Sequence, residues 1–144
     1  MSNAAEQALL DLLFLNTDWA NVGDAAGLQN SATAGSFYIA LHTADPGEAG
    51  SQTTNEAAYT SYARVAVARS AGGWTRTGSS IANTALVQFP QCTGSSSTIT
   101  HFSVGTDSSG AGQIIVSGAL SSSLAVSTGI QPQFAAGELS TTAD

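Results

Sequence analysis

Thr98-Ile99-Thr100-His101-Phe102-Ser103-Val104, then Gly105-Thr106-Asp107-Ser108-Ser109-Gly110, then Gln113-Ile114-Ile115-Val116: this stretch decides the fold class. Side chains of a strand alternate between faces. Here Ile99 and His101 share one face, and Phe102 and Val104 share the other. The Asp-Ser-Ser-Gly loop that follows is hairpin chemistry, so the segment predicts two antiparallel strands.

Working outward, the same pattern recurs. Phe37 to His42 is a short apolar run closed by the turn Asp45-Pro46-Gly47. Tyr62 to Arg69 is a second strand candidate, with Val65 and Val67 on one face. Gly72-Gly73 and Thr77-Gly78 bracket Trp74. Ile81 to Phe89 is a further run, closed by Pro90. Gly118 to Val126 and Ile130 to Phe134 complete the series. Short strands split by Gly, Ser and Asp turns predict an antiparallel β-sandwich, jelly-roll-like, in a mainly β chain.

The N-terminus differs. Asn3 and Glu6 form a capping-box pattern, and Ala5, Ala8, Leu9, Leu12 and Leu13 follow at helical spacing. Leu10 and Phe14 fall between Glu6 and Asp11, on the face that should be polar, and Leu15 is apolar too. A helix apolar nearly all round is buried on both sides. Either it sinks into its own core, or it turns Leu10, Phe14 and Leu15 toward a partner. Residues 16–34 are small and polar, with Trp19 and Leu28 as anchors. Two parts are therefore expected: a helix and linker over 1–34, serving as an assembly arm, and a β-sandwich over 35–144. On that reading, removing the residues before Asn16 abolishes binding to that partner and leaves the β-domain folded.

Composition narrows the function. Only 9% of the 144 residues are charged, against about a quarter in ordinary domains. There is no lysine; Arg64, Arg69 and Arg76 are the only basic residues besides two histidines, and the net charge is −7. Nucleic-acid binding rests on basic residues that displace counterions, so it is not expected. No run approaches the ~20 apolar residues of a membrane-spanning helix. Glu6 and Asp11 stand where a signal peptide would be positive, so cytoplasmic synthesis without export is expected. Cys92 is the single cysteine.

No catalytic pattern stands out, and neither an enzyme nor a cofactor is expected. His42 and His101 sit in strand patterns without metal-ligand spacing. Serines are abundant, but no Gly-x-Ser-x-Gly elbow occurs. Asp45, Glu48 and Glu56 read as a solvated acidic loop. Arg64 and Arg69 have opposite parity on one strand, and each is a candidate for an intersubunit carboxylate pair or an intrachain one. Tyr38, Tyr59 and Trp74 are the aromatic residues a receptor-binding surface would use.

Three blocks, Phe37 to Gly47, Tyr62 to Val67 and Ile99 to Gly105, together with Pro132 to Leu139, resemble small tailed-phage virion proteins described as tail fibre or head decoration proteins. The likeness runs through nearly the whole chain and implies a virion structural protein at the particle surface. It carries no catalytic residues. The main expectation is a capsid decoration protein that binds copies of itself, as a trimer, and the major capsid protein. The alternative is a tail-fibre or tail-attachment module that contacts the host receptor.

Overall fold

The computed structural model describes residues 1–143. The chain is mainly β and antiparallel, with one N-terminal helix, α1 (Asn3–Phe14). The strands are β1 (Ser36–His42), β2 (Val65–Ala68), β3 (Trp74–Thr77), β4 (Ser80–Asn83), β5 (Val87–Gln88), β6 (Ser97–Gly105), β7 (Ile114–Val126), β8 (Gln133–Phe134) and β9 (Ser140–Thr142). The fold is β-sandwich-like, as the strand pattern predicts.

Two compact units form, each from separated segments. One joins Met1–Ser36, Val67–Leu86 and the tail from Phe134; the other joins Phe37–Ala66 and Val87–Gln133.

In the first unit, β3-β4-β9 form an antiparallel sheet on which α1 packs. The β3–β4 hairpin turns through Gly78-Ser79, with Gly78 at φ +60°, the positive angle that primed two-residue turns need. Sequence reading brackets Trp74 between glycine turns and counts it among exposed receptor contacts. It is the first residue of β3, 2% exposed, with Phe14 edge-on at 4.8 Å. Asn83 ties the tail in: its Nδ2 donates to the carbonyls of Ala85 and Ala135, and its Oδ1 accepts from the Leu139 amide.

The helix corrects two expectations. Its N-cap is Ser2, whose hydroxyl accepts from the Ala5 amide at 3.4 Å, and Asn3 is already helical. The stripe that faces inward is Glu6, Leu10 and Phe14, spaced by four residues. Glu6 therefore does not mark a polar face. The first carboxylate lies on the buried stripe, and Asp11 instead pairs with Arg76.

The four-stranded sheet has the order β2-β1-β6-β7, and its β6 and β7 lie in the second unit. The deciding stretch folds as read. β6 pairs with β1 from Tyr38↔Gly105 to His42↔His101, and with β7 from Gly105↔Ile114 to Ser97↔Val126. The two separate runs after Gly110 are one thirteen-residue strand, β7. The Ile81 to Phe89 run, by contrast, divides into β4 and β5. β2 is shorter than Tyr62 to Arg69, so both arginines lie outside it and strand parity does not decide their directions.

Candidate functional site

Between β1 and β2 runs a long polar segment, and a single buried cation anchors it. The Arg64 side chain is 2% exposed. Its Nε and Nη2 donate to the two Glu56 carboxylate oxygens at 2.7 and 2.8 Å. Nη1 donates to the Asp107 carbonyl at 2.9 Å, and Nη2 also to the Gly110 carbonyl at 2.7 Å. A guanidinium matches this planar arrangement, and an ammonium cannot. The Tyr62 hydroxyl donates to Glu56 and accepts from the Leu41 amide. Burial raises the Tyr62 phenol well above its ordinary pKa, and the Glu56 hydrogen bond raises that of Arg64. Glu56 is thus paired, and not the solvated acid its loop position suggests.

Gln52 is the second anchor, 0% exposed. Its Nε2 donates to the Tyr38 carbonyl, its Oε1 accepts from the Asp107 amide, and its own amide donates to the Gly112 carbonyl. The β6–β7 loop is thereby held from two sides. Gln52 occupies the space beside Gly105 and Gly112: a Cβ would lie 2.2 Å from its side chain at Gly105 and 2.3 Å at Gly112. Gly105→Ala is expected to cost about 1–3 kcal/mol by overpacking, read as a lower urea midpoint. Adding Gln52→Ala should cost less than the sum of the two single changes. Strict additivity would show that Gln52 is not what fills that space. Sequence reading missed Gln52, because an isolated glutamine in a polar loop carries no local signal.

His42 is also 0% exposed. Its Nδ1 faces the Thr54 carbonyl and its Nε2 the Ser103 hydroxyl, both at 2.8 Å. A carbonyl only accepts, so Nδ1 carries the proton and Nε2 accepts from Ser103. The pair has nucleophile–base spacing, yet Ser103 is itself 0% exposed and no substrate reaches it. Desolvation holds the His42 imidazole below its ordinary pKa, against the opposing pull of the Thr54 carbonyl and Glu56. The unfolded chain therefore takes up this proton first as pH falls. The stability His42 contributes is complete above about pH 6.5 and declines below it. Urea midpoints at pH 7.5 and 5 should differ more for the natural chain than for His42→Gln. An equal difference in both would show that His42 is not responsible.

Beside this clamp lies a cleft of about 350 Å³ lined by Asp45, Gly47, Glu48 and Ile114 to Ser117. It joins an acidic turn to the start of β7. The Asp45 carboxylate accepts from the Gly47 amide, which shapes the turn. Among the described residues no group of three or more His, Cys, Asp or Glu is placed to hold a metal ion. Ile114, Ile115 and Val116 line it together with the acids Asp45 and Glu48.

The remaining candidates separate. Leu10 and Phe14 are 4% and 1% exposed, so their surface is taken up within this chain; Leu15 is half-buried. Arg69 donates to the Leu12, Leu13 and Ala34 carbonyls. The first two are carbonyls that a helix end leaves unsatisfied. α1 has no basic residue in its last turn, and Arg69 supplies the cation there. Arg64 and Arg69 thus both bind intrachain, each in a different unit. Tyr59 and Trp74, read as receptor contacts, are each 2% exposed, and Tyr38 is half-buried. Tyr59 lies edge-on to Tyr62, and its hydroxyl donates to the Pro90 carbonyl. Burial pushes its pKa up to about 12.

Arg64, Arg69, Tyr59 and Trp74 are thus spent within the chain. A family model described as podophage GP4 fiber I protein gp80 matches residues 1–142. The chain belongs to this family. The fiber I protein family is a phage fibre-type structural family, so this protein is a virion structural component. No curated protein matches the chain. The match covers both compact units, so the fiber I likeness includes α1 and the clamp alike.

Proposed function

We propose that this protein is a non-enzymatic module of the podophage tail fibre, one that takes part in attachment to the host. The observation that carries the reading is the fiber I family match across residues 1–142. It speaks for the fibre alternative rather than for capsid decoration. The interior supports the same role. The buried Arg64 clamp and the sealed His42–Ser103 pair give rigidity without an open reactive centre. In this reading its partners are copies of itself and a neighbouring virion protein. The low charge leaves a surface of hydroxyl and amide groups able to meet a host receptor.

Immunogold labelling of intact virions with an antibody to this chain tests the proposal. Gold confined to the tail fibres is the expected result. Gold spread over the head would overturn it in favour of capsid decoration.

A further inference from the structure

We propose that the outer edge of β7 around Val116–Ala119, with the adjoining cleft, docks an extended cationic segment of another virion protein. The choice of a virion protein rests on the structural reading above.

β7 is the last strand in the order β2-β1-β6-β7. The outer row of backbone N–H and C=O groups on an edge strand is a template for a further strand. Proteins blunt such edges with charge, proline or bulges. The thirteen residues of β7 contain no charged residue and no proline. Bulges are present, but they bracket one segment. Gly105↔Ile114 and Val104↔Val116 leave Ile115 extra; His101↔Ala119 and Ile99↔Leu124 leave residues 120–123 opposite Thr100 alone. Between them, Val116–Ala119 runs in unbroken register with β6. Ser51 bridges Gln113 just before the strand, which sets where an incoming segment must stop.

Charge selects the occupant. Asp45 and Glu48 line the same cleft as Val116 and Ser117, and no basic residue lines it. A second copy has no free cation to offer. The chain has no lysine, and Arg64, Arg69 and Arg76 are each bound within their own chain. Two copies meeting edge to edge would bring acidic turns together, which works against self-pairing. An extended segment bearing Lys or Arg satisfies both requirements, with main-chain pairing along the edge and carboxylates beside the cations. Four regular residues make a weak single contact, which repetition on a virion strengthens.

The test uses the full chain and a fluorescein-labelled Lys-Val-Lys-Val-Lys-Val peptide at low salt, read by fluorescence anisotropy. Saturable binding is expected. Binding should be lost when alternate peptide nitrogens of the probe are methylated, and absent for the Glu-Val counterpart. The exposed pair D45N/E48Q should weaken it about threefold to tenfold. No binding, equal binding of the acidic peptide, or indifference to N-methylation would overturn the proposal. So would sedimentation showing a dimer that the Lys-Val peptide dissolves, since the edge would then belong to a second copy. Gold on the head would reject the fibre reading and leave the peptide result standing.

Discussion

Replacing Arg64 with alanine is expected to lower stability by about 3–5 kcal/mol, the usual cost of breaking a buried ion pair from one side. The guanidinium contacts both Glu56 oxygens and the carbonyls of Asp107 and Gly110. Its removal strands a part-buried carboxylate, at 18% side-chain exposure, and two acceptors. Arg64→Lys should recover only part of the loss, since an ammonium cannot bind both oxygens in plane. The double change R64M/E56Q should be milder than Arg64→Ala, because no charge is left unpaired. Urea denaturation of the four proteins measures this. A loss below about 1 kcal/mol for Arg64→Ala, the range of exposed pairs, would show that the clamp is held by Gln52 alone.

Phe14→Ala is the second large effect, expected at about 3–5 kcal/mol. Phe14 is 1% exposed and lies edge-on to Trp74 at 4.8 Å. The cavity would open beside an indole N–H that has no hydrogen-bond partner. Water entering there would satisfy that group and hold the cost toward the lower end. The near-ultraviolet circular dichroism of Trp74 should change together with the denaturation midpoint. An unchanged midpoint would mean that α1 does not stabilise its unit. Deleting everything before Asn16 should cost more still. It would uncover Trp74 and leave Arg69 and Arg76 without the Leu12 and Leu13 carbonyls and Asp11. Loss of particle binding by such a truncation would then follow from unfolding as readily as from loss of an anchor.

Legibility followed the range of the physics. The β6–β7 hairpin is readable because alternation and turn chemistry are local, and the structure pairs those residues as read. α1 is readable for the same reason, but its inward face is not. Glu6 reads as polar by type, yet it lies on the buried stripe with Leu10 and Phe14. β3 is hidden because Gly72-Gly73 and Thr77-Gly78 resemble loop, while tertiary burial of Trp74 makes it strand. β9 is three residues of a small polar tail with no apolar alternation to mark it, and its pairing with β4 makes it a strand. In the candidate site, Asp45 and Glu48 stood out as acids. Gln52 and the use of Arg64 did not, because Asp107 and Gly110, which they hold, lie 43 to 55 positions away along the chain.

By itself, the sequence determined a β-rich antiparallel chain with a leading helix, a weakly charged acidic surface and a phage virion likeness. The strands, the helix and the weak charge depend on composition, periodicity and short turns, which each residue carries with it; the likeness rests on the four blocks Phe37 to Gly47, Tyr62 to Val67, Ile99 to Gly105 and Pro132 to Leu139. Only the tertiary structure decided where the three arginines went, which aromatics were hidden and which strand became the edge. Those outcomes depend on groups distant in sequence satisfying one another's hydrogen bonds and filling one another's space, and buried groups bear that cost wherever the chain brings them together.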